Sequence, residues 1–266
     1  MPCNGSHPVA SKTMNYKKSE FSGAVLAVCC LASFSSTAKG VQDMSDPLAV
    51  YTQAGAGVTN KGLNIKIGQA YDTGSVESMA MNIIEIKGMG ADLLGLKGDD
   101  SVDSLRFRNF KLDTTNGRGA QIDINWNFDS GTGNASYSFI QALPAMGSVQ
   151  FYPLAGIGLT VSDSADIRGQ KNEIGSVGYA IPSTYGVIGT YAKITLTDKI
   201  WLNYNPMYIT TFNDNDYMSD RMDGLHHEIV ASYQITPYQN VRVFGNYSAI
   251  EVNDDWNWRV EFNHQF

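Results

Sequence analysis

The sequence predicts an all-β fold, a closed antiparallel transmembrane β-barrel of about 12 strands, with ten as the other count it allows. Three observations predict it. From Leu48 onward no convincing amphipathic helix appears, and segments of about ten residues alternate apolar and polar side chains instead. A period of two is that of a β-strand. About 9–11 residues is also what a tilted strand needs to cross the hydrocarbon layer. The connections between segments carry turn chemistry, and their lengths alternate short and long.

Composition agrees. The chain has 266 residues, 43% of them hydrophobic, and 14 Tyr, 26 Gly and only 8 Pro. Its mean hydropathy is −0.20. A helical membrane protein would be much more apolar, whereas in a barrel only every second strand residue needs to be.

Residues 1–38 read as a leader with a signal peptide. Lys17 and Lys18 form a basic start, Phe21–Phe34 is an apolar stretch too short to span a membrane as a helix, and Ser35-Ser-Thr-Ala38 supplies small residues for cleavage after Ala38. Met14 is an alternative start. A lipoprotein signal at Cys29 is disfavoured because Val28 before it is not small. All three cysteines (Cys3, Cys29, Cys30) fall in this leader, so the mature chain would have no thiol, which suits an oxidising compartment. Removing residues 1–38 leaves 16 basic and 25 acidic side chains, a net charge of −9. Nucleic acid is therefore not an expected partner. Residues 39–47 are expected as a periplasmic N-terminal segment and 48–266 as the barrel.

Taken in order, the expected strands begin with 48–58, where Ala54-Gly-Ala-Gly57 reads as packing relief rather than a binding loop. In 62–71, Leu63, Ile65 and Ile67 oppose Asn64 and Lys66. Two strands are less regular. In 76–88 the apolar phase moves from Met79, Met81 and Ile83 to Ile84 and Ile86, and in 103–113 from Leu105 and Phe107 to Phe110 and Leu112. Either a β-bulge absorbs each slip, or one run does not face lipid. Residues 89–97 read as a short helix or a loop folded into the barrel mouth. In 118–129, Ala120, Ile122, Ile124, Trp126 and Phe128 oppose Gln121, Asp123, Asn125 and Asn127. Strands 133–143, 148–161, 185–197, 199–212, 225–236 and 240–250 follow with similar alternation. The turns at 72–75, 114–117, 144–147, 198 and 237–239 are short. The connections at 89–102, 162–184 and 213–224 are long, while 60–61 and 130–132 are short exceptions. An even strand count puts both barrel ends of the chain on one side.

The last strand, 256–266, alternates without a break. Trp256, Trp258, Val260, Phe262, His264 and Phe266 point one way; Asn257, Arg259, Glu261, Asn263 and Gln265 point the other. It resembles the closing strand of Gram-negative outer-membrane β-barrel proteins of porin-like type. The resemblance implies that Trp258, Val260, Phe262 and Phe266 form the signal read by the barrel assembly machinery. It also implies that the short turns are periplasmic and the long loops are at the surface. Outer-membrane lipids and lipopolysaccharide, bridged by divalent cations to acidic loops, would then be the surroundings. Trp126, Phe128, Phe212, Tyr247, Trp256 and Trp258 would sit at the outer rim; Trp201, Tyr204, Tyr233 and Phe266 would sit toward the inner rim.

The inward face carries the candidate functional residues. Lys66, Lys87, Arg106, Arg108, Lys111, Lys193, Arg242 and Arg259 are the cations; Glu85, Asp123, Glu228 and Glu261 are the anions. Paired, they would fill the lumen as a salt-bridged plug. Hydrated, they would line a narrow pore, and Arg106, Arg108, Arg242 and Arg259 would favour anionic solutes. Three functions follow: a narrow porin-like channel for ions or small hydrophilic solutes, a surface-interaction barrel with a filled lumen that presents loops 162–184 and 213–224, and an outer-membrane hydrolase at the rim. For the last, only His226, inward with Glu228 and near Asp223, has suitable chemistry, and no nucleophile motif accompanies it. No catalytic residue, metal or cofactor is expected. A monomer is expected, since no very long lumen-folding loop appears.

Overall fold

The computed structural model describes residues 40–96, 100–163, 174–176, 179–212, 216–248 and 256–266. The proposed leader, Asp99, Asp166, Asn213–Asn215, most of the 162–184 loop and residues 249–255 lie outside the described residues.

The strands are β1 Gln53–Thr59, β2 Gly62–Tyr71, β3 Ser78–Met89, β4 Ser104–Asp113, β5 Arg118–Asn127, β6 Thr132–Gln141 and β7 Val149–Ser162. After them come β8 Ile174–Ser176, β9 Tyr179–Thr195, β10 Ile200–Thr211, β11 Gly224–Thr236, β12 Gln239–Ser248 and β13 Asn257–Gln265. Every pairing is antiparallel, and between sequential neighbours except that β7 skips β8 to pair with β9 and that the two ends of the series pair with each other. Closure comes from β1 against β13, from Gln53 opposite Gln265 to Thr59 opposite Arg259. Twelve strands, all but the short β8, thus form a closed antiparallel barrel among the described residues. Closure leaves no sheet edge with unpaired backbone groups.

The alternation puts apolar side chains outside. Ile84, Ile124, Phe139, Ile157, Ile188 and Phe262 are exposed on the outer wall, while Glu85, Asp123, Asn203, Asn205 and Glu261 are buried inside. This is the reverse of a soluble barrel, whose interior takes the apolar set. The connections at the Phe266 end are short. The opposite, loop end carries the 90–103 connection with a 3-10 turn at Asp92–Leu94, and helix α1 (Asp216–Met222) between β10 and β11. The alternation of loop lengths holds as expected.

Several boundaries differ from expectation. The first strand starts at Gln53 rather than 48. Residues 40–52 instead make a strap that crosses the Phe266 end and packs inside the wall. Consecutive turns bend it. The Asp43 carboxylate accepts from the Ser45 amide and hydroxyl (2.9 and 2.6 Å), and the Asp46 carboxylate accepts from the Leu48 amide at 2.9 Å. Strand β9 starts six residues earlier than expected, because its first residues pair with β8 beyond the barrel wall.

The two phase slips need no bulge. β3 runs in continuous register against β4 from Ser78–Asp113 to Lys87–Ser104. Met79, Met81 and Ile83 point inward, as do Phe110 and Leu112, so these runs face the lumen rather than lipid. With Ile140 and Tyr152 they make an apolar lumen patch that Leu48 and Val50 of the strap cover; Val50 is 1% exposed. The same parity turns Lys111 outward, opposite Ala80 and Ala120, which corrects its placement among the inward cations. Trp201 is also corrected. It is a buried lumen residue at 4% exposure, not a rim aromatic, because it shares the inward parity of Asn203 and Asn205.

Candidate functional site

The inward face divides into an apolar patch beside the strap and a charged band above it. The band is built by strand register. Glu85 lies opposite Arg106, and Arg108 opposite Asp123, so opposite charges alternate around β3, β4 and β5. The Arg106 guanidinium grips Asp123 with two parallel contacts, Nε to Oδ1 at 2.8 Å and Nη2 to Oδ2. Gln121 Nε2 donates to the same carboxylate at 3.3 Å. Arg108 bonds Glu85, whose other oxygen lies 3.2 Å from Lys87 Nζ.

A second group spans the closure. Lys66 Nζ donates to Glu261 Oε1 at 2.6 Å, and Arg259 Nε lies 3.5 Å from Glu261 Oε2. The Arg259 guanidinium also sits 3.7 Å above the Phe244 ring. Arg242 is different. It donates to Ser232 Oγ and Asn203 Oδ1, both at 3.3 Å, and meets no carboxylate within ion-pair distance among the described residues. Glu228 is held by the Asn205 amide at 2.8 Å. Lys193 is drawn away from the band to Asp43 of the strap at 3.2 Å.

Apart from Lys111, the expected lumen residues face inward, and all of these but Asp123 and Lys193 border one cavity of about 400 Å³. Six cations (Lys66, Lys87, Arg106, Arg108, Arg242 and Arg259) and four carboxylates (Asp46, Glu85, Glu228 and Glu261) border it. Asp123 stands behind Arg106. The strap supplies the floor, through Met44, Asp46, Pro47 and Tyr51.

Sequence reasoning missed the strap as part of the site. It also missed Asn203 and Asn205 as holders of Arg242 and Glu228, and Phe244 as a ring beneath Arg259. The phase slips in β3 and β4 were the available signal: an apolar inward run calls for something to cover it.

The strap is held at its start by Gln265, which accepts from the Gln42 amide at 3.1 Å and donates to the Gln42 carbonyl at 2.9 Å. Asp43 is the strap's charged tether. Burial works against its charge, but the Ser45 hydroxyl and amide and the Lys193 ammonium together hold its carboxyl below the ordinary value.

At the loop end, His226 Nε2 faces the Met222 carbonyl at 3.1 Å, so that nitrogen carries the proton and Nδ1 accepts from Ser248 Oγ at 3.1 Å. Asp223 is engaged elsewhere, with the Thr211 amide and hydroxyl at 2.7 and 3.1 Å. His227 faces outward, where the Tyr204 hydroxyl meets its Nδ1 at 2.8 Å. The closing-strand residues Trp258, Val260, Phe262 and Phe266 are all exposed on the outer wall.

The sequence matches no protein-family model and no curated protein. Solved structures do match. An outer-membrane channel from Pseudomonas putida F1 superposes with a TM-score of 0.56 at 8% identity, over 84% of this chain and 98% of that one. The NanC porin does so with a TM-score of 0.49 at 8% identity, over 81% and 98%. The KdgM porin, solved in complex with disordered oligogalacturonate, gives 0.48 at 9% identity, over 82% and 99%. At such identities the likeness is one of fold: this chain folds as a closed antiparallel barrel of the kind that outer-membrane channels have.

Proposed function

We propose that this protein is an integral outer-membrane channel, narrow and porin-like, for ions or small hydrophilic solutes, reached after signal-peptide-directed export. The observation that carries this reading is the charged cavity of about 400 Å³ inside a barrel whose outer wall is apolar. Such a wall suits hydrocarbon, and a polar lumen suits water. The long loops would face outward among lipopolysaccharide, and the Phe266 end would face the periplasm. Its stripe of Trp258, Val260, Phe262 and Phe266 would be read by the assembly machinery. With more cations than carboxylates around the cavity, and Arg242 held only by neutral groups, the channel should prefer anions.

Reconstitution into planar bilayers tests this. Discrete conductance steps from heat-modifiable, folded protein are expected; their absence would leave the filled-lumen reading. One observation favours that second reading: the strap packs on the apolar patch and floors the cavity. The two readings therefore differ in whether the strap yields.

A further inference from the structure

A second cavity lies on the other side of the strap, at the Phe266 end. Its volume is about 420 Å³, and the short turns before β10 and β12 bring Asp198 and Pro237 to its border. Asp43 and Met44 of the strap form one side; Lys193 of β9, Trp201 of β10 and Gln234 of β11 form the other. This cavity and the charged one above share only Met44 and Ser45 among their bordering residues, so the strap is the partition between them.

Two groups at this cavity are not used by the barrel wall. Lys193 Nζ meets Asp43 Oδ2 at 3.2 Å, and Asp198 is not within ion-pair distance of it. The pair is lopsided, since the Lys193 side chain is 14% exposed and that of Asp43 64%. An ion pair with one partner so open to water holds weakly. Trp201 stands diagonally from Lys193, because Thr195 lies opposite Trp201 and Asn203 opposite Lys193. Trp201 is buried, and its indole N–H has no hydrogen-bond partner among the described residues. A buried indole N–H ordinarily has one.

We infer that Lys193 and Trp201 form a site for the carboxylate of a small anionic solute, and that Asp43 fills its place in this structure as a tethered stand-in. This rests on the channel reading above and gives it a trigger: a solute carboxylate displaces Asp43, and the strap loosens. One ammonium beside one N–H suits a singly charged group with two oxygens, one for each donor. Asp43 gives way readily because its carboxylate keeps the Ser45 amide and hydroxyl when it leaves Lys193. Gln42 stays paired with Gln265, and Leu48 and Val50 stay against the apolar patch. The strap therefore opens more often rather than leaving for good.

Residues 40–266 contain no cysteine, so one placed in the strap reports its release. Met44→Cys and Leu48→Cys put a thiol at two buried strap positions. In folded, heat-modifiable protein at neutral pH, a water-soluble maleimide should label either thiol slowly in sodium chloride. In sodium acetate of equal ionic strength the rate should rise up to about fivefold, the share of opening that an exposed ion pair holds back. Asp43→Asn or Lys193→Gln, added to either reporter, should label at the faster rate in chloride and gain nothing from acetate. Trp201→Phe keeps the ring and loses the N–H, so it should stay slow in chloride and respond less to acetate. Equal rates in acetate and chloride for both reporters would leave only screening and overturn the site, as would a Lys193→Gln protein that still responds. A full response in Trp201→Phe would overturn the part given to the indole. Absence of conductance steps in planar bilayers would instead overturn the channel reading, with the labelling result left standing.

Discussion

Lys66 and Glu261 meet at 2.6 Å although β1 runs between their strands. The approach is made by glycines. A Cβ at Gly55 would fall 3.2 Å from Lys66 Cε and 2.6 Å from Asn263 Oδ1, and one at Gly57 would fall 2.4 Å from the Val260 carbonyl oxygen. The small-residue run on β1 is therefore packing relief, and it lets a charge pair bridge the closing seam of the barrel.

Breaking that pair from one side should cost more than removing it. Glu261→Gln leaves the Lys66 ammonium little exposed and without its carboxylate, and should destabilise the barrel by roughly 3 kcal/mol. The double variant Lys66→Met with Glu261→Leu should recover part of that loss, because Arg259 still loses its carboxylate. The temperature at which heat-modified migration appears, measured in detergent, compares the three proteins. Equal losses in single and double variants would show that the pair does not close the seam.

The strap should be the constriction. Leu48 is 3% exposed against Met81, Ile83 and Phe110. Leu48→Asp would bury a carboxylate there, at a cost of several kcal/mol, so the strap should leave the lumen rather than the barrel unfold. Single-channel conductance is expected to rise at least about twofold, with barrel migration on gels unchanged. Unchanged conductance would mean that the strap does not gate the path.

Acid should loosen the same strap. The Asp43 carboxyl is held below its ordinary value in the folded protein, so its contribution is present above the unfolded value of about 3.9 and fades as pH falls through the folded one. The Asp43 side chain is 64% exposed, so the contribution is at most about 1 kcal/mol. Conductance should therefore increase modestly below about pH 4. Asp43→Asn should show the increase already at neutral pH, with no further step from this group. A wild-type profile matched by Asp43→Asn at every pH would remove Lys193 and Asp43 as a tether.

The barrel was legible in the sequence because alternation is a local signal: each strand announces its own two faces. Parity within each strand gives Lys66, Arg106, Arg108, Asp123, Lys193, Glu228, Arg242, Arg259 and Glu261 an inward direction without any knowledge of partners, whereas Lys111, beyond the phase slip in β4, turns outward. What parity cannot carry is a contact between distant segments. Leu48 and Val50 alternate as a strand would, and only the cover they give to Phe110 and Met81 shows that they belong to a strap. Arg106 finding Asp123 and Arg259 finding Glu261 follow from neighbouring strands. Lys193 finding Asp43, across 150 positions of sequence, does not.

Arg242 should set the ionic preference. Its guanidinium borders the cavity and is held at 3.3 Å by Ser232 and Asn203, both neutral. Arg106, Arg108 and Arg259, by contrast, are partly neutralised by Asp123, Glu85 and Glu261. Removing Arg242 strips positive potential without stranding a carboxylate, so Arg242→Gln should fold normally. A paired arginine such as Arg106 should not be so forgiving, because Asp123 would be left buried with only the Gln121 amide beside it. In a potassium chloride gradient the reversal potential of Arg242→Gln should move toward the cation side, and the shift should shrink at high salt as screening shortens the reach of the charge. A reversal potential identical to wild type at low salt would show that ions do not pass this guanidinium.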